Sequence, residues 1–431
     1  GEKLVMWNTD ESNMGGHSDP LYQSSPIVIS LAKNGMAHAI FYDNPHYTLF
    51  RLDSDGRQIH YAARGGPLCY YVIGGPSLSD VISNITLLTG RYSLPPRWVC
   101  GHHHSRWKED ESAETVERLA SDFRKHGIPC DAIHMDIGHL EDFRCFTWNR
   151  QRFPNPAALI DFLHRKDIKA VVISDPGLKE DPAWEPFRTA DEKGYLVKTA
   201  DGKSFIAPVW PGDCGFVDYS FPEAARFWGD LYSVYTDLGV DGFWVDMNEP
   251  SLFTRHRTLP DGTRHRGGEG YPPMEHKRLH NVYGLLMAKA SAEGIDRLQP
   301  GKRRFLFSRS SFTGIQRYAS TWTGDNKSSW THLRLCIPMV INMGLCGQTM
   351  TGPDLGGFWK DAKDELLIRW MQMGAFLPFC RNHRANGTRP QELWLFGGEV
   401  LSVCREYLRL RYAFLPYIYT HLAESCRTGL P

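Results

Sequence analysis

At 431 residues, with 42% hydrophobic and 12% aromatic content, the chain can bury a large core and exceeds the usual size of one domain. Its 49 Lys and Arg balance 49 Asp and Glu, so no net field favours nucleic acid or an anionic membrane, and a neutral ligand fits that balance. No stretch approaches the ~18 consecutive apolar residues of a membrane span, and the first residues lack the basic-then-apolar pattern of a secretory signal.

Residues 1 to about 92 alternate strand and turn patterns. Ser25–Leu31, Ala37–Tyr42 and Cys69–Ile73 read as strands separated by Asn34-Gly35, Asp55-Gly56 and Gly65-Gly66 turns, which describes part of a β-sandwich. After Pro95-Pro96 the rhythm changes to strand then helix, the pattern of a parallel sheet built from βα units. Eight strands are predicted: Trp98–His102, Ala132–Met135, Ala170–Ser174, Gly242–Asp246, Phe305–Ser308, Ser320–Trp322, Gly347–Thr351 and Ala375–Phe379. The expected fold is therefore α/β, a (β/α)₈ TIM barrel over residues 93–425, preceded by part of an N-terminal β-sandwich over residues 1–92.

Between the strands, Ala113–His126 carries Val116, Leu119, Ala120 and Phe123 on one helical face, with Ser112 as N-cap and Gly127 past the end. A second helix opens at Pro222 and runs through Trp228 and Tyr235 to Gly239; a third spans about 277 to 293. Two segments, 179–220 and 251–276, exceed ordinary loop length, and long loops on a barrel commonly carry function. The ten cysteines are scattered without a C-x-x-C pair, several inside apolar runs, which points to buried free thiols and a reducing, cytoplasmic compartment rather than a disulfide framework.

Two segments concentrate chemistry. In Asp241-Gly-Phe-Trp-Val-Asp-Met-Asn-Glu-Pro250 a short apolar strand ends in Asp246, at the C-terminal face where barrel enzymes build their sites. An Asp in that place also caps helices or bonds turns, but the cluster of Trp244, Met247, Asn248 and Glu249 favours a site. In Arg309-Ser-Ser-Phe-Thr-Gly-Ile-Gln-Arg-Tyr-Ala-Ser-Thr-Trp-Thr-Gly-Asp-Asn326, Asp325 follows Trp322 after another short strand. A pair of carboxylates, one to attack or stabilise an oxocarbenium-like carbon and one to protonate a leaving oxygen, is what cleavage of a glycosidic bond needs, and tryptophans offer a platform for a sugar face. By spacing alone Glu249 rivals Asp246 as the nucleophile.

The motif Trp244-x-Asp246-Met-Asn-Glu249 resembles the nucleophile signature of glycoside hydrolase family 31, the α-glucosidase family. The resemblance extends in order along the chain through Met6–Asp10, Gly90–Trp98, Trp210-Pro-Gly212, Trp322–Asn326, Gly352–Phe358 and Pro378–His383. It implies a retaining, exo-acting α-glucosidase without metal or organic cofactor, with an α-glucoside or oligosaccharide as its substrate, Asp246 as nucleophile and Asp325 as acid/base. Glu249 becomes a loop brace. By the same resemblance, Asp10, Asp136, Ile137, Arg309, Arg381 and His383 contact the first sugar, and Trp210, Trp244, Met247, Trp322 and Phe358 line apolar walls. A catalytic core truncated at both ends is also implied, with residues 426–431 opening a further β-domain.

Two departures bear on the outer pocket: Lys108 and Glu109 follow Arg106-Trp107 where relatives carry an aromatic, and Asp136-Ile-Gly-His139 stands where they often read Asp-Ile-Asp-Tyr. Glucosyl transfer is the alternative activity, with a glucan lyase, an α-xylosidase or a non-catalytic carbohydrate-binding relative behind it. His102-His-His104 does not read as a metal site because no third ligand has a matching spacing. The basic stretch Arg255–Arg266, lacking interleaved aromatics, reads as a solvated loop.

Overall fold

A computed structural model describes residues 2–11, 14–53, 58–268, 270 and 272–431. The Asp55-Gly56 turn lies outside the described residues. Two antiparallel sheets form before residue 76. One joins Glu2–Met6, Thr48–Leu52 and Ile59–Ala63, and the other joins Ile27–Leu31, Ala37–Tyr42 and Tyr70–Gly75. The alternation of Ala37, Ala39 and Phe41 turns one face of the second sheet inward, where it meets Ile73 and the helix Leu78–Thr89 through Val81 and Ile85. That helix is absent from the strand-rich reading of this region, although Ser77 and Asp80 form a capping box before an i, i+3, i+4 apolar pattern.

The barrel strands are β1 His102–Arg106, β2 Ala132–Met135, β3 Lys169–Ser174, β4 Gly242–Val245, β5 Leu306–Ser308, β6 Ser320–Thr321, β7 Asp354–Leu355 and β8 Cys380–Asn382. They form one parallel sheet ordered β6-β5-β4-β3-β2-β1-β8-β7. The ring closes where Thr321 N–H and Thr323 N–H donate to the carbonyls of Met350 and Gly352, at 3.3 and 3.2 Å.

Three strands differ from their expected positions. Arg97–Cys100 is a 3₁₀ turn following Pro95-Pro96, so β1 starts at His102. Residues 347–351 close the barrel but the ladder proper is Asp354–Leu355. The apolar run Ala375–Phe379 is no strand either, because Arg411 claims its carbonyls. From the long helix Gly398–Thr428, the buried Arg411 guanidinium donates to Gly374, Ala375, Leu377 and Pro378, at 2.7 to 3.2 Å, and to Cys100 O at 2.9 Å. The expected helix from Pro222 to Gly239 is broken into Pro222–Asp230 and Ser233–Thr236.

The long segments fold over the C-terminal face of the barrel. The first supplies an antiparallel sheet of Gly177–Lys179, Ile206–Val209 and Gly212–Phe216; the second holds a ribbon of Arg264–His265 and Met274–Glu275. The N-terminal part is stitched to the barrel by parallel pairing of Gln23–Ser24 with Ser311–Phe312. Arg411→Met strips a charged donor from three buried and two part-buried carbonyls, so the expected loss of stability is at least about 3 kcal/mol. Urea unfolding of the variant checks it, and a change within experimental error would contradict the assignment.

Candidate active site

The strand ends deliver acids to one place. Asp136 follows β2, Asp175 follows β3, Asp246 follows β4, Arg309 follows β5, and Asp325 comes four residues after β6. Met247, at φ 55°, turns the chain so sharply that its own N–H donates to Asp246 Oδ1 at 2.8 Å. Asn248 then braces the turn against the next strand, donating to Ser308 Oγ at 2.9 Å and accepting from Ser310 N–H at 3.0 Å.

At the centre stands Arg309. Its guanidinium holds Glu249 in a bidentate pair at 3.0 and 2.8 Å, Asp246 at 3.0 Å, Asp325 at 3.3 Å and Asp10 at 3.5 Å. The face of Tyr22 lies 5.0 Å away. Gly324 makes this fit possible: at φ 84° and with a Cβ that would lie 2.2 Å from the Tyr22 ring, it is the one residue type that lets Asp325 approach.

Four ionised carboxylates on one guanidinium would leave three net negative charges. Two like charges about 5 Å apart in an effective dielectric of about 20 cost roughly 3 kcal/mol, or about two pK units, so such a cluster keeps a proton at neutral pH. Donor supply decides where. Glu249 has the bidentate pair, Asp246 has Arg309 and the Met247 N–H, and Asp10 accepts from Ser251 Oγ at 2.7 Å. Among the described residues Asp325 has only the single, longer contact. Burial, followed by the Asp246 and Asp10 charges, accordingly holds Asp325 well above the usual carboxylate range against the pull of Arg309, whereas the upward shift of Asp246 by burial is opposed by both Arg309 and the Met247 N–H.

The pocket above the cluster has a volume of about 190 Å³, below the roughly 300–1,000 Å³ typical of drug-sized ligands, a size for one small ring. Asp10, Asp136, Ile137, Trp210, Met247, Arg309, Phe358 and His383 line it together with Asp246 and Asp325. Glu249 is only 1% exposed and does not line it, so spacing alone misled about its rivalry with Asp246. Trp244 and Trp322, expected on the apolar walls, and Arg381, expected against the first sugar, instead form the layer beneath. The Arg381 guanidinium lies 4.8 Å from the Trp244 ring and 5.1 Å from Trp322 while pairing with Asp354 at 2.5 Å.

Trp107, Ile173, Phe253 and Trp359 line the pocket without having been singled out as site residues. Trp107 sits directly after β1, a position that would have identified it had the strand been aligned correctly. Its ring meets Trp210 edge-on at 5.1 Å, and Trp210 meets Phe253 at 4.8 Å, making an aromatic rim. Phe358 stacks against Trp107 at 6.3 Å, and His383 stacks on Phe358 with its Nε2 3.6 Å from Asp136. Burial holds His383 well below the usual imidazole range, so it stands neutral.

A model of the glycosyl hydrolases family 31 TIM-barrel domain matches residues 92–421, and one of the family 31 N-terminal galactose mutarotase-like domain matches residues 1–50. Alpha-glucosidase 2 of Bacillus thermoamyloliquefaciens is 44% identical over 432 residues, covering 100% of this chain and 54% of that protein. Among solved structures, a family 31 alpha-glucosidase from Bacteroides thetaiotaomicron is 38% identical with a TM-score of 0.90, covering 100% of this chain and 70% of that one. A family 31 dextranase of Flavobacterium johnsoniae, complexed as a mutant with isomaltotriose, is 32% identical with a TM-score of 0.92, covering 100% and 53%. The chain spans about half the length of the curated relatives it matches.

The Asp136 carboxyl offers a direct test of this electrostatic setting. Burial, reinforced by Asp246 and opposed by the Ile137 N–H, pushes it up to about 7. Its unfolded value is about 3.9, so the native state binds the proton more tightly and stability drains away as pH rises from about 4 to about 7. Asp136→Asn should therefore stabilise the protein by roughly 1–3 kcal/mol at pH 8 and by almost nothing at pH 4. Urea midpoints at the two pH values check this; equal effects at both would contradict it.

Proposed function

The chain belongs to glycosyl hydrolase family 31, and on that premise we propose that it is the catalytic portion of a retaining α-glucosidase that removes glucose from the non-reducing end of α-glucosides. The observation that carries this reading is the unequal hold of Arg309 on two pocket carboxyls, Asp246 and Asp325. One is equipped to stay ionised and the other to keep a proton, which is the division of labour that glycosidic cleavage needs. A pocket sized for one ring supports exo action.

In this reading the glucosyl ring seats with its anomeric carbon between the two acids. Asp246 attacks that carbon as the glycosidic C–O bond breaks, and Asp325 gives its proton to the leaving oxygen. Asp325, now a carboxylate, takes a proton from water as the water oxygen bonds the anomeric carbon and the ester to Asp246 breaks. Asp10, Asp136 and neutral His383 face the sugar hydroxyls, Phe358, Met247 and Ile137 face its apolar surfaces, and Glu249 keeps Arg309 in place. The aromatic rim of Trp107, Trp210 and Phe253 offers a platform for a second sugar. That platform is the observation in favour of glucosyl transfer, which product analysis at high maltose distinguishes from hydrolysis.

Leaving groups separate the two acids. Maltose needs nearly all of the protonation and α-glucosyl fluoride needs little, so Asp325→Ala should lower maltose turnover by about 10²- to 10⁴-fold and fluoride release by less than about tenfold. Azide should speed turnover of the fluoride and yield an azide product of retained configuration. Asp246→Asn should abolish activity on both substrates. Equal losses for Asp325→Ala on the two substrates, without azide rescue, would move the acid/base role elsewhere. Assays on maltose, isomaltose, kojibiose, nigerose and α-xylosides then assign the linkage.

A further inference from the structure

A second titratable array lies behind the pocket, and its members come from three parts of the chain. Asp218 Oδ1 accepts from His265 Nδ1 at 2.9 Å. His265 Nε2 meets His276 Nδ1 at 3.0 Å, His276 Nε2 meets His280 Nδ1 at 3.0 Å, and His280 Nε2 donates to the carbonyl of Asn8 at 2.8 Å. All three imidazoles and Asp218 are buried. His265 belongs to the basic stretch Arg255–Arg266, whose arginines are indeed exposed but whose Leu259, Thr263 and His265 are not.

The ends of this chain settle its proton content. Asn8 O is a carbonyl and only accepts. Asp218 also takes the Ser220 hydroxyl at 2.6 Å and the N–H groups of Ser220 and Arg266, at 3.1 and 2.5 Å, and so is an ionised acceptor. Four hydrogen bonds in line need four hydrogens, and three neutral imidazoles bring three. Filling all four bonds therefore requires one imidazolium. The arrangement that does so places it at His265, beside the Asp218 carboxylate, with His276 and His280 neutral and carrying the hydrogen on Nε2. Around the chain stand the Tyr283 ring against His265 and His276, the Thr258 hydroxyl, and Trp7, stacked on His280 with centroids 3.7 Å apart.

We propose that His265, His276 and His280 are positioning residues for the sugar site: a charge-carrying imidazole strut that locks the 251–276 segment onto the Trp7–Asp10 segment and so fixes the Asp10 carboxylate at the pocket. Asp10 is two residues beyond the end of the strut. It is tied to the same segment by Ser251 Oγ at 2.7 Å, and its carbonyl accepts from Arg257. The inference rests on reading Asp10 as a sugar contact.

Two measurements test it. In the unaltered 431-residue chain, ¹⁵N NMR of labelled histidines at neutral pH should find one of these rings protonated on both nitrogens and two neutral with hydrogen on Nε2. Three neutral rings would overturn the strut whether or not the protein cleaves α-glucosides. His276→Phe keeps the ring volume and removes both central bonds. It should raise KM for 4-nitrophenyl α-glucoside about tenfold while changing kcat less than about threefold, as loss of a contact shared by ground and transition states does. Asp10→Asn should raise KM similarly, and the double variant should add little to either. A His276→Phe protein with lowered melting temperature but unchanged KM would reduce the strut to a stabilising element and overturn the positioning role. If the unaltered chain cleaves no α-glucoside, the reading of the site fails and the NMR result still decides the strut.

Discussion

A single guanidinium against four carboxylates is the constraint on which the site depends. Arg309 is almost wholly buried at the pocket wall, and Glu249, Asp246, Asp325 and Asp10 compete for it. Because the competition is unequal in distance and in auxiliary donors, proton affinity is divided among them rather than shared evenly. Removing Arg309 would not simply delete a contact; it would release several buried charges from their one common partner, the costly case for buried ion pairs.

The fold supplies this geometry from independent sources. β4 and β5, neighbours in the sheet, bring Asp246 and Arg309 side by side, and β6 on the far side of β5 brings Asp325. The barrel interior below is filled by Trp244, Phe307, Trp322 and the Arg381–Asp354 pair, so the floor under the acids is rigid. The N-terminal domain closes the arrangement from outside the barrel with Asp10 and Tyr22. A buried imidazole chain holds that contribution in register with the long loop after β4. The site is thus a joint product of barrel and N-terminal part.

What the sequence disclosed follows from how strongly each element is patterned. Gly242–Val245 is an apolar run closed by an acid, and the structure puts both where that pattern points. β7 and β8 consist of two and three residues with Asp354, Arg381 and Asn382 among them, so they read as loops, while the apolar run before β8 read as a strand. The side chain of Arg411, 33 to 36 residues downstream of the carbonyls it takes, explains why that run does not pair. Trp244 illustrates a limit of period-2 reasoning. It shares a face with Asp246 but sits two residues, or about 6.6 Å, lower, which is the difference between core layer and pocket wall. Tyr22 and the Asn8 end of the histidine strut had no local signal because their partners, Arg309 and His280, are over two hundred residues away in sequence.

The central claim concerns where one proton resides. Neutron diffraction on crystals of the unliganded protein at pH 7, after exchange into heavy water, locates it directly. This account predicts deuterium on an oxygen of Asp325 and none on Asp246, with Arg309 fully protonated. Deuterium on Asp246, or a bare Asp325 carboxylate, would contradict it.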